Sequence, residues 1–225
     1  MRKPTLVAEA GAKRTGAGDA GVTLIELLIT MAVFSLVIGL IFQGVITVQR
    51  MAEESRRDAE SVSQLRQGLA IIDRQVRSGN VLYSPGDEDQ VLSTCEGTGT
   101  SGSCMRVYTQ ANGDERCVQW QVIADADAPG TSALRMRSWS PTWQTDGLTT
   151  GWSTVSRGLV NPGEGNWPFT LQGGTSAFAS RLLDVNLGAV DLNDPSESDE
   201  LSASISGRNT NYGYDAGRCS PAPTA

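Results

Sequence analysis

The sequence contains no histidine, and its only two lysines, Lys3 and Lys13, lie within the first 21 residues. Beyond residue 21 the chain therefore cannot build a Ser-His-Asp triad, a histidine-ligated zinc site, a lysine Schiff base or a P-loop. Pairs of acidic residues could in principle serve a glycosidase, but their spacing does not favour one. The composition predicts a protein that is not an enzyme.

Positive charge is also scarce in the C-terminal part. The net charge of the 225 residues is -7, and residues 79–225 contain 17 acidic residues against 8 arginines. A part this acidic repels phosphate backbones, so we expect no nucleic-acid binding through it. A local arginine site remains compatible with this count.

Cysteine is limited to four residues, Cys95, Cys104, Cys117 and Cys219. None forms a Cys-x-x-Cys pair, and an even count after a hydrophobic segment is typical of disulfides in an oxidising compartment. Three connectivities are open. We favour Cys95 with Cys104, around a loop (EGTGTSGS) that we expect to be flexible, and Cys117 with Cys219, which would tie the C-terminal tail to a strand.

One hydrophobic stretch, AGVTLIELLITMAVFSLVIGLIFQGVITV at residues 20–48, dominates the N-terminal part. As a helix it spans about 40 Å, more than the ~30 Å hydrocarbon core of a bilayer, so it can cross a membrane. The basic residues before it favour a cytoplasmic N-terminus and place the following residues across the membrane. These basic residues are Arg2, Lys3, Lys13 and Arg14.

The stretch opens with the residues Gly21-Val22-Thr23-Leu24-Ile25-Glu26-Leu27-Leu28. They resemble the type IV prepilin cleavage and methylation motif, with glycine before the cut and glutamate as the fifth mature residue. The resemblance implies that a membrane-embedded prepilin peptidase cleaves after Gly21 and N-methylates Val22. It also implies that the mature helix packs in the core of a helical filament. Val22 departs from the phenylalanine that is commoner in the family, and the leader is longer than the commonest ones.

Glu26 is the only charged residue of the hydrophobic stretch. A carboxylate in a membrane helix costs on the order of 2.5 to 3.5 kcal/mol at the bilayer centre, and less near its edge. Cleavage after Gly21 would give Val22 an amino group one helical turn from Glu26. The family resemblance implies that Glu26 meets the terminal amine of a neighbouring subunit and sets the axial register. The alternative is a carboxylate that reaches the lipid headgroups and stabilises the helix start.

The helix is expected to continue to Ser78, since residues 49–78 contain no proline and only one glycine, Gly68. Apolar positions recur at helical spacing and form one stripe, while charged residues occupy the other faces. We expect the stripe to pack on a sheet, and a coiled-coil partner helix is the main alternative. The stripe consists of Val48, Met51, Ser55, Val62, Leu65, Leu69, Ile72 and Val76.

From Val81 onward the apolar periodicity changes to two, which predicts strands. The strongest hairpin signal is Asn112-Gly113. A two-residue loop at these positions would pair three sets of residues: Val107 with Val118, Met105 with Trp120, and Tyr108 with Cys117.

Further strands are predicted around residues 134–139, 154–159, 168–171, 182–192 and 201–206. The apolar parity slips at Gly188, which predicts a bulge there. The expected fold is α+β, a long N-terminal helix packed on an antiparallel sheet with long loops, as in type IV pilins. We divide the chain into a leader (1–21), a hydrophobic helix (22–48), its amphipathic continuation (49–78) and a β-rich head with disulfides (79–225).

The segment LRQGLAIIDRQV at residues 65–76, with the cysteine-containing head after it, resembles the larger minor pilins and the J-type minor pseudopilins of type II secretion. This resemblance implies a structural subunit of a type IV pilus or a type II secretion pseudopilus. Its partners would be prepilin peptidase, other pilin or pseudopilin subunits, and the inner-membrane assembly machinery. Before assembly the chain would cross the cytoplasmic membrane once, in contact with lipid, and afterwards it would lie in the filament or at the cell surface.

The alternative function is a membrane-anchored surface adhesin or receptor-binding protein. Four tryptophans could supply a sugar-stacking surface, although tryptophan in a small β head more often packs in the core or under loops. They are Trp139, Trp143, Trp152 and Trp167.

A weak calcium site is the single cofactor candidate. The acidic loop that follows the predicted strand at 182–192 offers several oxygen ligands, and related pilin heads sometimes bind calcium, but the spacing does not match an EF-hand. A solvated acidic loop is the simpler interpretation. The candidate ligands are Asp191, Asn193, Asp194, Asp199 and Glu200.

Overall fold

A computed structural model describes residues 21–173, 181–190, 198–207, 214–215 and 217–223. Its first element is helix α1 (Leu24–Arg77), which runs for 54 residues. Neither Gly39 nor Gly44 interrupts it, and no proline in this segment removes a backbone donor. The chain forms two compact units, Met1–Met51 and Ala52–Ala225, so α1 contributes to both.

Within the described ranges, helix α1 is followed by ten strands, 3₁₀ turns at Pro85–Gln90 and Ala111–Gly113, and a one-turn helix α2 (Trp143–Asp146). The first five strands are β1 (Gly79–Leu82), β2 (Gly97–Thr98), β3 (Ser101–Gly102), β4 (Cys104–Thr109) and β5 (Arg116–Ala124). The other five are β6 (Ser132–Trp139), β7 (Ser153–Leu159), β8 (Phe169–Leu171), β9 (Leu182–Val190) and β10 (Ser198–Ser206).

These strands form one antiparallel sheet in the order β1-β4-β5-β6-β7-β9-β8-β3-β2, with β10 paired to β9. The C-terminal part of α1 packs on this sheet through Leu65, Ile72 and Val76, which are buried in the main core. The predicted α+β fold, a long N-terminal helix with an antiparallel β-sheet, is therefore confirmed.

The buried stripe of α1 is shorter than the sequence predicted. Val48 and Met51 are 65% and 63% exposed, and burial under the sheet becomes complete only at Leu65. Gly68 belongs to the buried part, since a Cβ at this position would lie 3.1 Å from Leu134 Cδ2 of β6. The missing side chain at Gly68 lets the helix backbone approach the sheet closely.

The predicted hairpin has the expected register but a different turn. Strands β4 and β5 pair Val107 with Val118 and Met105 with Trp120, as the sequence indicated. The connection is not a two-residue loop, because β4 ends at Thr109 and a short 3₁₀ turn occupies Ala111–Gly113. Since the longer connection is centred on the same two residues, the register stays the same.

Two further predictions are wrong. The register of β9 with β10 is continuous through Gly188, and no bulge forms there, because Ala189 keeps the buried parity while Val190 is only half-buried. The loop between Cys95 and Cys104 is not an open flexible loop. It forms the hairpin of β2 and β3, and β3 pairs with β8, so its backbone groups are used in the sheet.

The two faces of the central strands have opposite chemistry. Met105, Val107, Val118 and Trp120 face the main core with α1. The opposite face begins with a small cluster of Tyr108, Cys117, Trp139 and Cys219 and continues into polar side chains.

Candidate functional sites

The N-terminal motif lies at the start of α1. Residues Gly21 to Thr23 are not helical, and the backbone N–H groups of Glu26 and Leu27 donate to Thr23 O at 3.1 and 3.2 Å. The Glu26 N–H also lies 3.3 Å from Thr23 Oγ1, which is the N-cap interaction of a Thr-x-x-Glu sequence. Thr23 therefore fixes the helix start, and the peptide bond between Gly21 and Val22 lies outside the helical hydrogen bonds.

Glu26 is the acidic residue of the first turn of α1, where the helix dipole favours negative charge. Glu26 is exposed, and its carboxylate forms no hydrogen bond or ion pair with the other described residues. Val22 is 69% exposed. The carboxylate is thus available to a group outside this chain.

The surface of the first part of α1 is apolar over a long distance. Residues Leu24–Arg56 form a helix long and apolar enough to cross a membrane. The hydroxyl groups of Thr30, Ser35 and Thr47 donate to backbone carbonyls of the preceding turn, at 2.7 to 2.9 Å, so they add little polarity to this surface. An exposed apolar surface of this size requires a lipid or protein environment. Its large exposed residues include Ile25, Leu28, Phe34, Leu40, Ile41 and Phe42.

A second site, which the sequence did not predict, is a buried polar layer on the sheet face opposite α1. Residues directly opposite each other on β4, β5 and β6 form two rows across the sheet. The rows are Arg106–Gln119–Arg137 and Cys104–Gln121–Arg135. Alternating polar residues on strands are typical of a solvent-facing surface, so the pattern indicated exposure rather than burial.

Glu88, from the 3₁₀ turn, is the acidic member of this layer, and it is completely buried. Its carboxylate accepts from Arg106 Nε at 3.1 Å and from Gln119 Nε2 at 2.8 Å. Gln119 Oε1 in turn accepts from Arg137 Nε at 2.9 Å. Burial raises the pKa of the Glu88 carboxyl, and the Arg106 guanidinium opposes this rise. The pair is held by a hydrogen-bonded network, as buried charges require.

The other two arginines of the layer have no carboxylate partner among the described residues. Arg135 and Arg137 form no ion pair among the described residues, and both guanidinium groups lie 4.6 Å from the centre of the Trp152 ring. Burial lowers the pKa of Arg137, and the nearby charges of Arg135 and Arg106 act in the same direction. Arg137 Nη2 and Trp152 Nε1 are buried donors that find no acceptor in the part of the chain that the structure describes. The layer therefore has more positive than negative charge.

Two disulfides hold segments over this layer. Cys95–Cys104 and Cys117–Cys219 form with Cα–Cα distances of 5.5 and 5.7 Å, the connectivity that the sequence favoured. Each joins a strand residue facing the layer to a segment outside the strands, since Cys104 lies in β4 and Cys117 in β5. The polar layer is therefore covered rather than solvent-exposed.

None of the four tryptophans of the adhesin interpretation is fully exposed. Trp139 is buried, and Trp143, Trp152 and Trp167 are half-buried. Trp143 Nε1 donates to Pro221 O at 2.9 Å, and Trp152 stacks on two arginines. Trp139, Trp143 and Trp152 therefore make contacts within the head.

The candidate calcium ligands are only partly described. Asp191, Asn193 and Asp194 lie outside the described residues, while Asp199 and Glu200 are exposed in β10. On neighbouring positions of a strand, their side chains point to opposite faces. Within the described ranges, no group of three or more acidic or cysteine residues could hold a metal ion.

The exposed apolar helix, which begins at a capped Thr-x-x-Glu sequence, is similar to the N-terminal helix of type IV prepilins. The comparison with protein families agrees: the model of the prokaryotic N-terminal methylation motif matches residues 17–42. The match includes Gly21, Val22 and Glu26. Neither the curated proteins nor the solved structures give a match to the chain.

Proposed function

We propose that the protein is a minor pilin or pseudopilin, a structural subunit of a type IV pilus or of a type II secretion pseudopilus. The observation that carries the proposal is the methylation motif at residues 17–42, which coincides with the exposed apolar surface of α1. In this proposal the chain first crosses the cytoplasmic membrane once, with residues 1–21 as the leader in the cytoplasm and the head outside. The inner-membrane assembly machinery then moves α1 from lipid into the filament.

Prepilin peptidase cleaves after Gly21 and methylates the new amino group of Val22. Two features support this site: the peptide bond lies before the helix start, and the Thr23 cap fixes that start. Glu26, one turn further, then meets the terminal amine of a neighbouring subunit in an apolar filament core. Such a pair is weakly screened and can set the axial register of subunits.

The experiment is mass spectrometry of the N-terminus after expression of the full chain with a prepilin peptidase. We expect a chain that begins at N-methylated Val22. Gly21→Leu should leave the chain uncleaved, because a side chain at the cut position blocks the peptidase. Gly39→Leu is the matched control, since it makes the same change in the same apolar segment away from the cut, and it should be cleaved normally.

A mature chain that keeps Met1 and carries no methylated Val22 would overturn the proposal. So would equal cleavage of Gly21→Leu and Gly39→Leu. A different measurement identifies the assembly system to which the subunit belongs. The gene is deleted, and secretion, motility and DNA uptake are each assayed to find which process is lost.

A further inference from the structure

The last described residues of the chain, Ser220 to Pro223, form a segment that we call the C-terminal arm. The arm belongs to no strand, and in each side-chain hydrogen bond that joins it to other described residues the head is the donor. Arg106 Nη1 donates to Ser220 Oγ at 3.0 Å, Trp143 Nε1 to Pro221 O at 2.9 Å, and Arg137 Nη1 to Pro223 O at 2.8 Å. The head thus binds the arm as it would bind a separate extended peptide. The acceptors are backbone carbonyl groups of the arm and the Ser220 hydroxyl group.

The head and the C-terminal arm do not match in charge. The donors on the head include two buried guanidinium groups, whereas residues 217–223 contain no carboxylate and include one further arginine, Arg218. Among the described residues, Arg137 donates hydrogen bonds only to neutral acceptors, the Gln119 amide and the Pro223 carbonyl, and its Nη2 donates none. A buried guanidinium is stabilised best by a carboxylate that accepts two parallel hydrogen bonds. The arm does not supply that carboxylate.

We propose that Arg106, Arg137 and Trp143 form a binding site for an extended peptide that carries a carboxylate, and that the C-terminal arm occupies this site in the isolated chain. The carboxylate takes the place of the Pro223 carbonyl on Arg137 and engages Nη2 as well. Trp143 and Arg106 bind acceptors further along the peptide. The ligand is therefore an extended, acidic segment of a partner protein.

The arm can leave this site without breaking a covalent bond. Its disulfide-linked neighbour Cys219 precedes it, so the Cys117–Cys219 bond and the backbone up to Cys219 stay in place when the arm is displaced. Ser220 and Pro221 are exposed, and only Pro223 is buried. The site is thus open to competition from a ligand with a stronger acceptor for Arg137.

The experiment uses the full chain in detergent with the residues from Ser220 onward deleted. The probes are two synthetic peptides of sequence Ser-Pro-Ala-Pro, one with a free C-terminal carboxylate and the other with a C-terminal amide. We expect the carboxylate peptide to bind at least tenfold more tightly than the amide, because hydrogen bonds to a charged acceptor are stronger. In the intact chain, where the arm competes, both peptides should bind more weakly.

Two substitutions test the assignment of residues. Arg137→Gln should remove the preference for the carboxylate peptide, whereas Arg116→Gln, at an exposed arginine of β5, should leave the preference unchanged. Trp143→Phe keeps an aromatic ring and removes the Nε1 donor, so it should weaken the binding of both peptides by a similar factor.

Equal binding of the two peptides, binding of acetate as tight as that of the carboxylate peptide, or no binding to a folded arm-deleted chain would each overturn the proposal. If the arm-deleted chain does not fold alone, the peptides are added during refolding. Recovery of the native tryptophan emission with the carboxylate peptide, and less recovery with the amide, then supports the site, and no recovery with either contradicts it. None of these outcomes depends on cleavage at Gly21.

Discussion

At the scale of single residues, Glu26 links the local structure of the helix start to the proposed assembly. Its backbone N–H completes the cap on Thr23, while its carboxylate is without a partner among the described residues. The first role favours any residue that forms helix, and only the second requires a charge. A substitution that removes the charge and keeps helix propensity can therefore separate the two.

We predict that Glu26→Ala is cleaved after Gly21 but enters filaments poorly. Alanine has high helix propensity, so the helix start should survive, but the partner for the terminal amine of the next subunit is lost. The measurement is the amount of the variant in purified filaments relative to its amount in membranes.

Glu54→Ala is the control, because it removes an exposed carboxylate beyond the apolar segment and should be incorporated like the original chain. Normal incorporation of Glu26→Ala would instead favour a carboxylate that only contacts lipid headgroups before assembly.

At the scale of elements, helix α1 shows how one regular helix serves two environments. Its sequence is apolar on all faces up to about Val48 and apolar on one stripe afterwards. The first part has an exposed surface, and Leu65, Ile72 and Val76 of the second part are buried on the sheet. Substitutions in the first part should therefore change membrane or filament contacts and leave head stability unchanged. Substitutions in the second part should change head stability.

We predict that Ile72→Ala lowers the free energy of unfolding of the head by about 2 to 5 kcal/mol, because it leaves a cavity at a fully buried position. The measurement is urea unfolding of the full chain in detergent, followed by tryptophan fluorescence. All five tryptophans lie between residues 120 and 167, so the signal reports the head alone.

Ile41→Ala is the matched control, since it makes the same change on the same helix at a residue that is 59% exposed. Its unfolding midpoint should equal that of the original chain. Equal losses for the two variants would show that Ile72 does not pack in the head core as the structure has it.

At the scale of the whole molecule, the two disulfides keep a charged layer covered. The Cys95–Cys104 bond holds the segment that follows the 3₁₀ turn with Glu88, and the Cys117–Cys219 bond holds the residues that lead to the C-terminal arm. Without these covers, Arg106 and Arg137 would lie on a solvent-exposed sheet face. The covalent links therefore determine which residues of the head are surface and which are interior.

We predict that the double variant Cys117→Ala/Cys219→Ala loses more stability than Cys95→Ala/Cys104→Ala. In the chain-entropy model the longer loop, with a sequence separation of 102, contributes about 4.7 kcal/mol, and the shorter one, with a separation of 9, contributes about 2.7 kcal/mol. Urea unfolding of the two oxidised full-length variants gives the comparison. Equal losses, or a larger loss for Cys95→Ala/Cys104→Ala, would mean that contacts of the covering segments contribute more to stability than loop closure does.

The sequence predicted the parts of the fold that depend on local patterns. The absence of proline and the helical spacing of apolar residues predicted α1, and the position of Asn112-Gly113 predicted the register of β4 with β5. The prediction of a bulge at Gly188 was wrong. It assumed that Val190 is buried because it is apolar, but the buried residue is Ala189. Local hydrophobicity does not distinguish these two residues, and only the neighbouring strands do.

The candidate sites divide in the same way. Gly21, Val22 and Glu26 are recognisable because the motif is a contiguous run of residues. The favoured cysteine pairing followed from the loop between Cys95 and Cys104 and from the position of Cys219 in the C-terminal tail. The arginine layer was not recognisable, because Arg106 and Arg137 are 31 positions apart and a polar residue in a strand is typical of a solvent-facing position.

The sequence by itself determined the apolar helix, its capped start, the methylation motif and the excess of negative charge, since each of these depends on neighbouring residues or on composition. Only the tertiary structure decided where the stripe of α1 becomes buried and which sheet face is covered. The physical reason is that burial depends on what packs against a residue. For the layer around Arg137, the packing segments are the 3₁₀ turn with Glu88 and the C-terminal arm, which lie far away in sequence.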